Sequence, residues 1–461
     1  MGAVAQRESD ATARERSPDN FHRLVRDMLL LQIADIHFRE PDCTSPDTDP
    51  ERPYRTLLLQ SARTETRAMG GTVGAIVVGG DIAFKGDTQE YAVAAEWLKA
   101  LADATGCPHE RIFVVPGNHD VDRRTILRTP AVRNAQGAVA RSDEARRERE
   151  LRTQFSDPHT SGSLLLPLTA YNEFAKFFNC QVYSPDRLYW KQDLELQNGL
   201  ALRIFGLTSV LLSGQDGKDD ARGSLYLSPL QTTLNPADNV VNLVLCHHPP
   251  DWLMDQDDVH DAFCNRAHIH LLGHKHRQRI TQARNYVRFS AGAVNPDRQD
   301  LNWQPGYNLI EVTSNGRGDD RTLTVRSKLM AYRPQPPEGF QAVRPSADTE
   351  FYVDTFNIPE PQKVAVSLND VGSASASETV VVTAESDPEA QMSDEGTRNL
   401  IYRFWNLSMS QRREIVLALG LLENGELALP EPERYGRALL RAGERNLLGE
   451  FAKQVAAKEG H

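Results

Sequence analysis

The chain has 461 residues, 40% of them hydrophobic, which suffices for one large and one small domain with buried cores. Its five cysteines (Cys43, Cys107, Cys180, Cys246 and Cys264) are scattered and outside any C-x-x-C spacing, which excludes a disulfide scaffold and favours a reduced, cytoplasmic setting. The net charge of −11 is uneven: residues 335–395 hold 12 acids against 2 bases, so residues 1–334 are nearly neutral and a phosphate-rich substrate is not excluded.

In chain order, residues 1–25 are polar and read as a disordered tail without an apolar leader segment. The run MLLLQIA at 28–34 is far too short to span a bilayer, and no membrane attachment is expected. It reads instead as a buried strand that ends at Asp35-Ile36-His37. GAIVVGG is a second such run, ending at Gly80-Asp81; TQEYAVAAEWLKALADATG (88–106) then has helical spacing, with Gly106 as its stop. RIFVVP leads into Gly117-Asn118-His119-Asp120. Residues 121–180 form an insertion whose first part, 121–153, has nine arginines against five acids; it continues into TAYNEFAKFFN, with aromatics at 171, 174, 177 and 178. Further strands are predicted at 201–207, 240–246, 268–273, 286–291, 307–313 and 321–331. The second of these precedes Cys246-His247-His248-Pro249 and the third runs into Gly273-His274-Lys275-His276. His268 and His270 alternate within their strand and read as core or supporting residues. From 335 to 395 the chain is Pro-, Ser- and acid-rich and reads as a linker, with one strand-like VVVT. Residues 396–461 recover helical periodicity: Ile401, Phe404 and Trp405 share a face, and Ser408 to Gln411 fits a capping box.

Five strand ends thus carry oxygen and imidazole donors with no thiolate among them, a set suited to hard-to-borderline divalent ions: manganese first, with iron, zinc or nickel as alternatives. Ligands at the ends of parallel strands converge on one edge of an open α/β sheet. As independent turn residues, all five blocks in this order would be a coincidence of many parts.

The order D-x-H, G-D, G-N-H-D, H-x-P and G-H-x-H resembles that of the calcineurin-like metallophosphoesterase superfamily, over roughly residues 28 to 277. The resemblance implies a four-layer α/β/β/α sandwich over 26–334, followed by an all-α bundle at 396–461. It makes Asp35, His37 and His276 ligands of one metal and Asn118, His247 and His274 ligands of a second, with Asp81 bridging. His247 rather than His248 takes the H-x-P position, being two residues before Pro249. His119 would sit beside the substrate phosphate, with Asp120 as its orienting partner. Two such ions lower the pKa of a bridging water and clamp the phosphoryl oxygens, so a hydroxide can attack phosphorus at neutral pH.

The insertion leaves the sheet beside His119 and is expected to rim the site. Its arginines, Arg123 and Arg124 first, would grip phosphates and its aromatics stack on a base; the alternative is a solvated, salt-bridged helix. The C-terminal bundle resembles helical adaptor modules of bacterial conflict and signalling systems, and is expected to bind a protein partner or itself. The leading expectation is therefore a regulated nuclease or nucleotide phosphodiesterase, with a role in bacterial defence. A cyclic-nucleotide phosphodiesterase, a phosphomonoesterase and a non-catalytic scaffold are the alternatives.

Overall fold

Three apolar segments set the first sheet. Strands β1 (Met28–Ile33), β2 (Ala75–Val78) and β3 (Ile112–Val114) are buried at every position, as parallel strands covered on both faces must be. The computed structural model describes residues 28–157, 159–183, 187–295, 305–361 and 394–459. The predicted N-terminal tail and the VVVT segment lie outside them. Helices α1 (Arg52–Ala68) and α2 (Thr88–Thr105) make the crossovers. α2 begins in a capping box built by Asp87 and Glu90 and stops at Gly106, whose φ of 71° suits glycine.

The insertion then forms α3 (Arg123–Arg128), α4 (Pro130–Arg141), α5 (Glu144–Ser156) and α6 (Thr169–Ala175). Strands β4 (Tyr189–Glu195), β5 (Ala201–Leu207) and β6 (Val240–Cys246), helix α7 (Gln256–Arg266), and strands β7 (Ile269–Leu272), β8 (Arg279–Gln282) and β9 (Val287–Ser290) follow. Strands β10 (Gly306–Asn315), β11 (Thr322–Arg333), β12 (Gly339–Ala342) and β13 (Tyr352–Asn357) return to the first sheet. Its order is β12-β11-β10-β1-β2-β3, with β13 also on β11, and that of the second is β4-β5-β6-β7-β9-β8. Both sheets are mixed, and one continuous hydrophobic core joins them in the α/β/β/α arrangement.

Parallel registers align the strand ends that matter. Ile33 pairs with Val78 and Val78 with Val114 in one sheet, and Cys246 pairs with Leu272 in the other. The loops beyond these pairs therefore leave at one edge.

Two expectations are corrected here. The stretch from 335, read as the start of a linker, instead carries β12 and β13, both antiparallel to β11. Both are short edge segments with one buried residue, Phe356, between them, set in a Pro- and acid-rich stretch whose composition reads as a linker. The aromatics of the insertion are not offered to a base: Tyr171, Phe174 and Phe178 are buried, and the Tyr171 hydroxyl donates to the Val114 carbonyl at 3.2 Å. They fasten the insertion to the sheet.

The last helices, α8 (Asp394–Asn406), α9 (Met409–Ala418), α10 (Glu431–Glu444) and α11 (Leu448–Glu459), enclose a second core around Phe404, Trp405, Tyr435 and Phe451. Ser408 and Gln411 form the anticipated capping box. This bundle docks on the root of β3 through Arg398. That guanidinium donates to the carbonyls of Glu110 (2.6 Å) and Phe178 (2.7 Å) and to Gln192 Oε1 (3.0 Å), and lies 4.2 Å from the Phe113 ring centroid. Burial draws its pKa down to about 10, opposed by the Cys180 sulfur.

Arg398→Ala leaves these buried acceptors unpaired and should cost on the order of 3 kcal/mol. Hydrogen exchange should speed up in α8 and around Phe178 while metal content is unchanged. Unaltered exchange in both places would mean that Arg398 does not hold the bundle.

Candidate metal centre

The ends of β1, β2, β3, β6 and β7 bring the five blocks together. A carboxylate or imidazole atom from each of Asp35, His37, Asp81 and His276 lies within 4.8 Å of the others, and so does a nitrogen from each of His247, His248 and His274. Asp81 joins the two groups: its Oδ2 is 3.2 Å from His37 Nε2 and 3.3 Å from His247 Nε2. On the first side His276 Nε2 is 3.3 Å from Asp35 Oδ1. On the second, Asn118 Oδ1 is 3.1 Å from His247 Nε2 and 3.0 Å from His274 Nδ1.

The local backbone is unusual. Asp35 (φ 54°), His37 (53°), Asp81 (53°), His274 (68°) and His276 (51°) all adopt the left-handed region, which non-glycine residues occupy at a cost. The main chain fixes them there: the Asp35 amide donates to Gly80 O, and those of Ile36 and His37 to Asp81 O. Gly80 has no room for a side chain, since a Cβ would sit 2.6 Å from His247 Nδ1. One at Gly117 would overlap the Asp81 carboxylate. His247 is aimed by its Nδ1, 2.7 Å from the Gly79 carbonyl.

Electrostatics prepare the carboxylates for cations. Burial raises the Asp81 carboxyl, but His247, His119 and His37 outweigh it and hold it well below the usual range. Burial likewise opposes ionisation of Asp35, and His276 with His247 reverses the balance. His247 is pulled down by burial and pushed up further by Asp81 and Asp35, to about 9, whereas burial and His247 depress His274 to about 3.

His119 stands at the mouth. Its ring stacks on Phe84 (4.8 Å, 18°), which Arg39 covers at 3.6 Å, and its Nδ1 lies 2.9 Å from the Phe84 carbonyl. That nitrogen therefore carries the proton and donates it, leaving Nε2 for other work. Asp120 is not its partner, contrary to expectation. The Asp120 carboxylate is buried and accepts from the amides of Ala83 (2.9 Å) and Gly117 (2.8 Å) and from the Tyr91 hydroxyl (2.8 Å), so it ties the two loops together. Adjacency in sequence gave no hint that the chain turns the two side chains apart.

Arg123 and Arg124 reach the site, but in ion pairs: Arg123 with Asp219 (2.6 Å), Arg124 with Asp122 (3.0 Å) and Asp87 (3.2 Å). With Phe84, Lys85, His119, Val121 and Asp122 they line a pocket of about 220 Å³. Sequence reasoning passed over Phe84 and Asp219, which no motif marks. It also set aside His248, whose neighbour filled the expected position. His270, by contrast, keeps its Nε2 on the Phe263 and Ala267 carbonyls.

No curated protein matches the sequence. Among solved structures, Vps29 of Chaetomium thermophilum is 10% identical, with 73% of this chain and 99% of that chain covered and a TM-score of 0.28. A putative 5'-nucleotidase from Staphylococcus aureus is 12% identical over 75% of this chain and 57% of that chain (TM-score 0.31). GAP50 of Plasmodium is 11% identical over 73% and 90%, respectively (TM-score 0.32). Residues 396–457 match the family model of the GTPase-associated adaptor domain. Residues 28–278 match that of the calcineurin-like phosphoesterases, and these residues include all five strand-end blocks. That match spans more than half of the sequence, and the chain belongs to the calcineurin-like phosphoesterase family.

Proposed function

We propose that the chain is a two-metal phosphodiester hydrolase acting on nucleic acid or nucleotides, with its C-terminal helices serving as the docking module for a protein partner. The observation that carries this reading is the Asp81 carboxylate set between two imidazole-bearing clusters, with His119 and two arginines at their mouth.

The residues present fit a pair of divalent ions. Asp35 Oδ2 is buried with no hydrogen-bond partner, and such an atom calls for a cation or donor. Asp35, His37 and His276 would hold one ion and Asn118, His247 and His274 the other, with Asp81 shared. Bound there, the ions would supply a nucleophile at neutral pH and offset charge on the phosphoryl group. The remaining work falls to the chain. With Nδ1–H held on the Phe84 carbonyl, the imidazolium form of His119 can give its Nε2 proton to the leaving oxygen and return to the neutral ring. The stack of Arg39, Phe84 and His119 keeps the ring from turning. Arg123 and Arg124 meet phosphate oxygens when a substrate replaces their carboxylate partners.

In this proposal the catalytic unit extends to residue 361, because β13 closes its sheet. The helices beyond 394 bind a protein, and the name of the matching adaptor family points to a GTPase-type partner. A defence role would follow if that partner senses infection. No helix among the described residues is long and apolar enough to cross a membrane.

The deciding experiment is hydrolysis by the manganese-loaded protein of single- and double-stranded DNA, RNA, cyclic nucleotides, and nitrophenyl mono- and diesters. Turnover of monoesters alone would overturn the diesterase reading.

Asp81→Ala should lose the metal pair, since it removes the shared ligand; elemental analysis of the purified variant measures this, and full occupancy would refute the bridging role. His119→Ala should keep both ions yet lose about 10²–10⁴-fold in turnover, less with a good leaving group than with a poor one. Loss of metal along with activity would make His119 a ligand instead.

Reversing charge at Arg123 and Arg124 together should weaken polynucleotide cleavage far more than cleavage of a nitrophenyl diester. Polynucleotide binding should also fall steeply with salt, because each phosphate contact releases counterions. Equal losses on large and small substrates would assign these arginines to the fold.

A further inference from the structure

A second pair of cations stands at the end of the metal centre away from His119. Ring contacts give the order. Phe84 stacks on His119, and His119 lies 4.8 Å from His37 at one end; His247 lies 5.2 Å from His274, and His274 4.0 Å from Trp252, at the other, with Asp81 between His37 and His247. Arg123 and Arg124 flank the first end. At the second, Lys275 follows His274, and its Nζ is 2.8 Å from Oδ2 of Asp251, the residue before Trp252. Arg222 Nη1 is 3.3 Å from the same oxygen. Among the described residues Asp251 is the carboxylate that both cations share, so the trio keeps a net positive charge. The Arg222 side chain is 70% exposed, and an ion pair so open to water is weak enough for a phosphate to displace it.

The segment 214–224 joins the two ends. A Cβ on Gly214 would lie 3.2 Å from Arg123 Cγ, so the segment starts against α3. Just past its end, the Leu225 amide donates to the Trp252 carbonyl (3.1 Å) and the Met254 amide to the Leu225 carbonyl (2.8 Å). Asp219, which holds Arg123, and Arg222 are three residues apart, a backbone span of at most about 10 Å. The two cation pairs are therefore close enough to serve nearby phosphates of one strand.

We propose that Lys275 and Arg222 form a phosphate subsite across the metal centre from Arg123, so that a single nucleic-acid strand lies over the centre and is cut at internal bonds. The proposal rests on the diesterase reading above and extends it. Arg123 meets the phosphate on the leaving side, next to His119, and Lys275 with Arg222 meets the one on the retained side. An internal bond has a phosphate on either side, whereas the bond at a strand end lacks one of them. Each cut adds one water: its oxygen bonds to phosphorus, the P–O bond to the leaving sugar breaks, and that sugar oxygen departs with a proton. One new end carries a phosphate and the other a hydroxyl.

The test sets the manganese-loaded full chain against a closed circle of single-stranded DNA or RNA, an end-labelled linear strand and a nitrophenyl diester. Wild type should open the circle, and the first products of the linear strand should have internal lengths. Lys275→Glu combined with Arg222→Glu should slow circle opening at least about 10-fold more than nitrophenyl diester hydrolysis, the worth of one charged contact. Binding of a labelled single strand by the metal-free chain gives a readout apart from turnover. There Lys275→Gln with Arg222→Gln should lower the slope of log affinity against log salt by about 0.7, the share of one phosphate.

An intact circle, with nucleotides released only from the ends of the linear strand, would overturn the proposal and leave the diesterase reading standing. Hydrolysis of the nitrophenyl diester without cleavage of any nucleic acid would overturn both the nucleic-acid reading and the proposal. Equal losses on circle and diester, or an unchanged salt slope, would assign Lys275 and Arg222 to the scaffold. If the double variants do not fold, Arg222→Gln alone, at an exposed side chain, decides by the same ratio and slope.

Discussion

The Asp81 carboxylate is where the two sheets meet chemically. His37 leaves β1 in the first sheet and His247 leaves β6 in the second, and Oδ2 of Asp81 stands within 3.3 Å of both. Its other oxygen accepts from the His119 amide at 2.8 Å, which fixes the loop that presents Asn118 and His119. One side chain thus ties together both candidate ligand groups and the loop carrying the proposed acid. Burial alone would neutralise such a carboxyl, and the surrounding imidazoles keep it ionised.

The site is built against local backbone preference. Five of its residues sit at positive φ, each at a cost of about 1–3 kcal/mol. Ordinary sheet edges would not hold them so. They persist because β1, β2, β6 and β7 are rigid and buried, and because amide bonds from Asp35, Ile36 and His37 lock the first loop onto the second. Asp120 has the same role on the far side, clamping the Gly80–Ala83 turn to Gly117 while Tyr91 reaches in from α2. The acidic residue of the GNHD block is therefore a brace between loops.

Much of this was legible in the sequence, for a physical reason. A strand buried on both faces must be apolar throughout, so a polar block at its end is conspicuous, and five such blocks pointed to the residues that the structure gathers at one edge. What escaped notice was of two kinds. Edge strands β12 and β13 bury little and have the composition of a linker. Side-chain direction beyond a turn cannot be read from neighbours either: Asp120 faces away from His119, and the aromatics of α6 face the core instead of the pocket. Phe84, whose stacking and carbonyl both orient His119, is one residue in a loop with no signature.

In the proposed reading substrate choice would be set at the rim, because a pair of ions would act on mono- and diesters alike. Arg123 is paired with Asp219, whose side chain is 90% exposed, so that pair contributes only about 0–1 kcal/mol. A substrate phosphate would displace the carboxylate at little cost and gain a guanidinium that already lines the pocket. Arg124 is divided between Asp122 and Asp87 and gives up two partners to do the same. On that reading the first phosphate beyond the metal centre would be met by Arg123, and a substrate with a single phosphate would leave the pair with Asp219 undisturbed. Discrimination between small esters and polynucleotides would then lie in one exchangeable ion pair, outside the strand-end blocks that define the family.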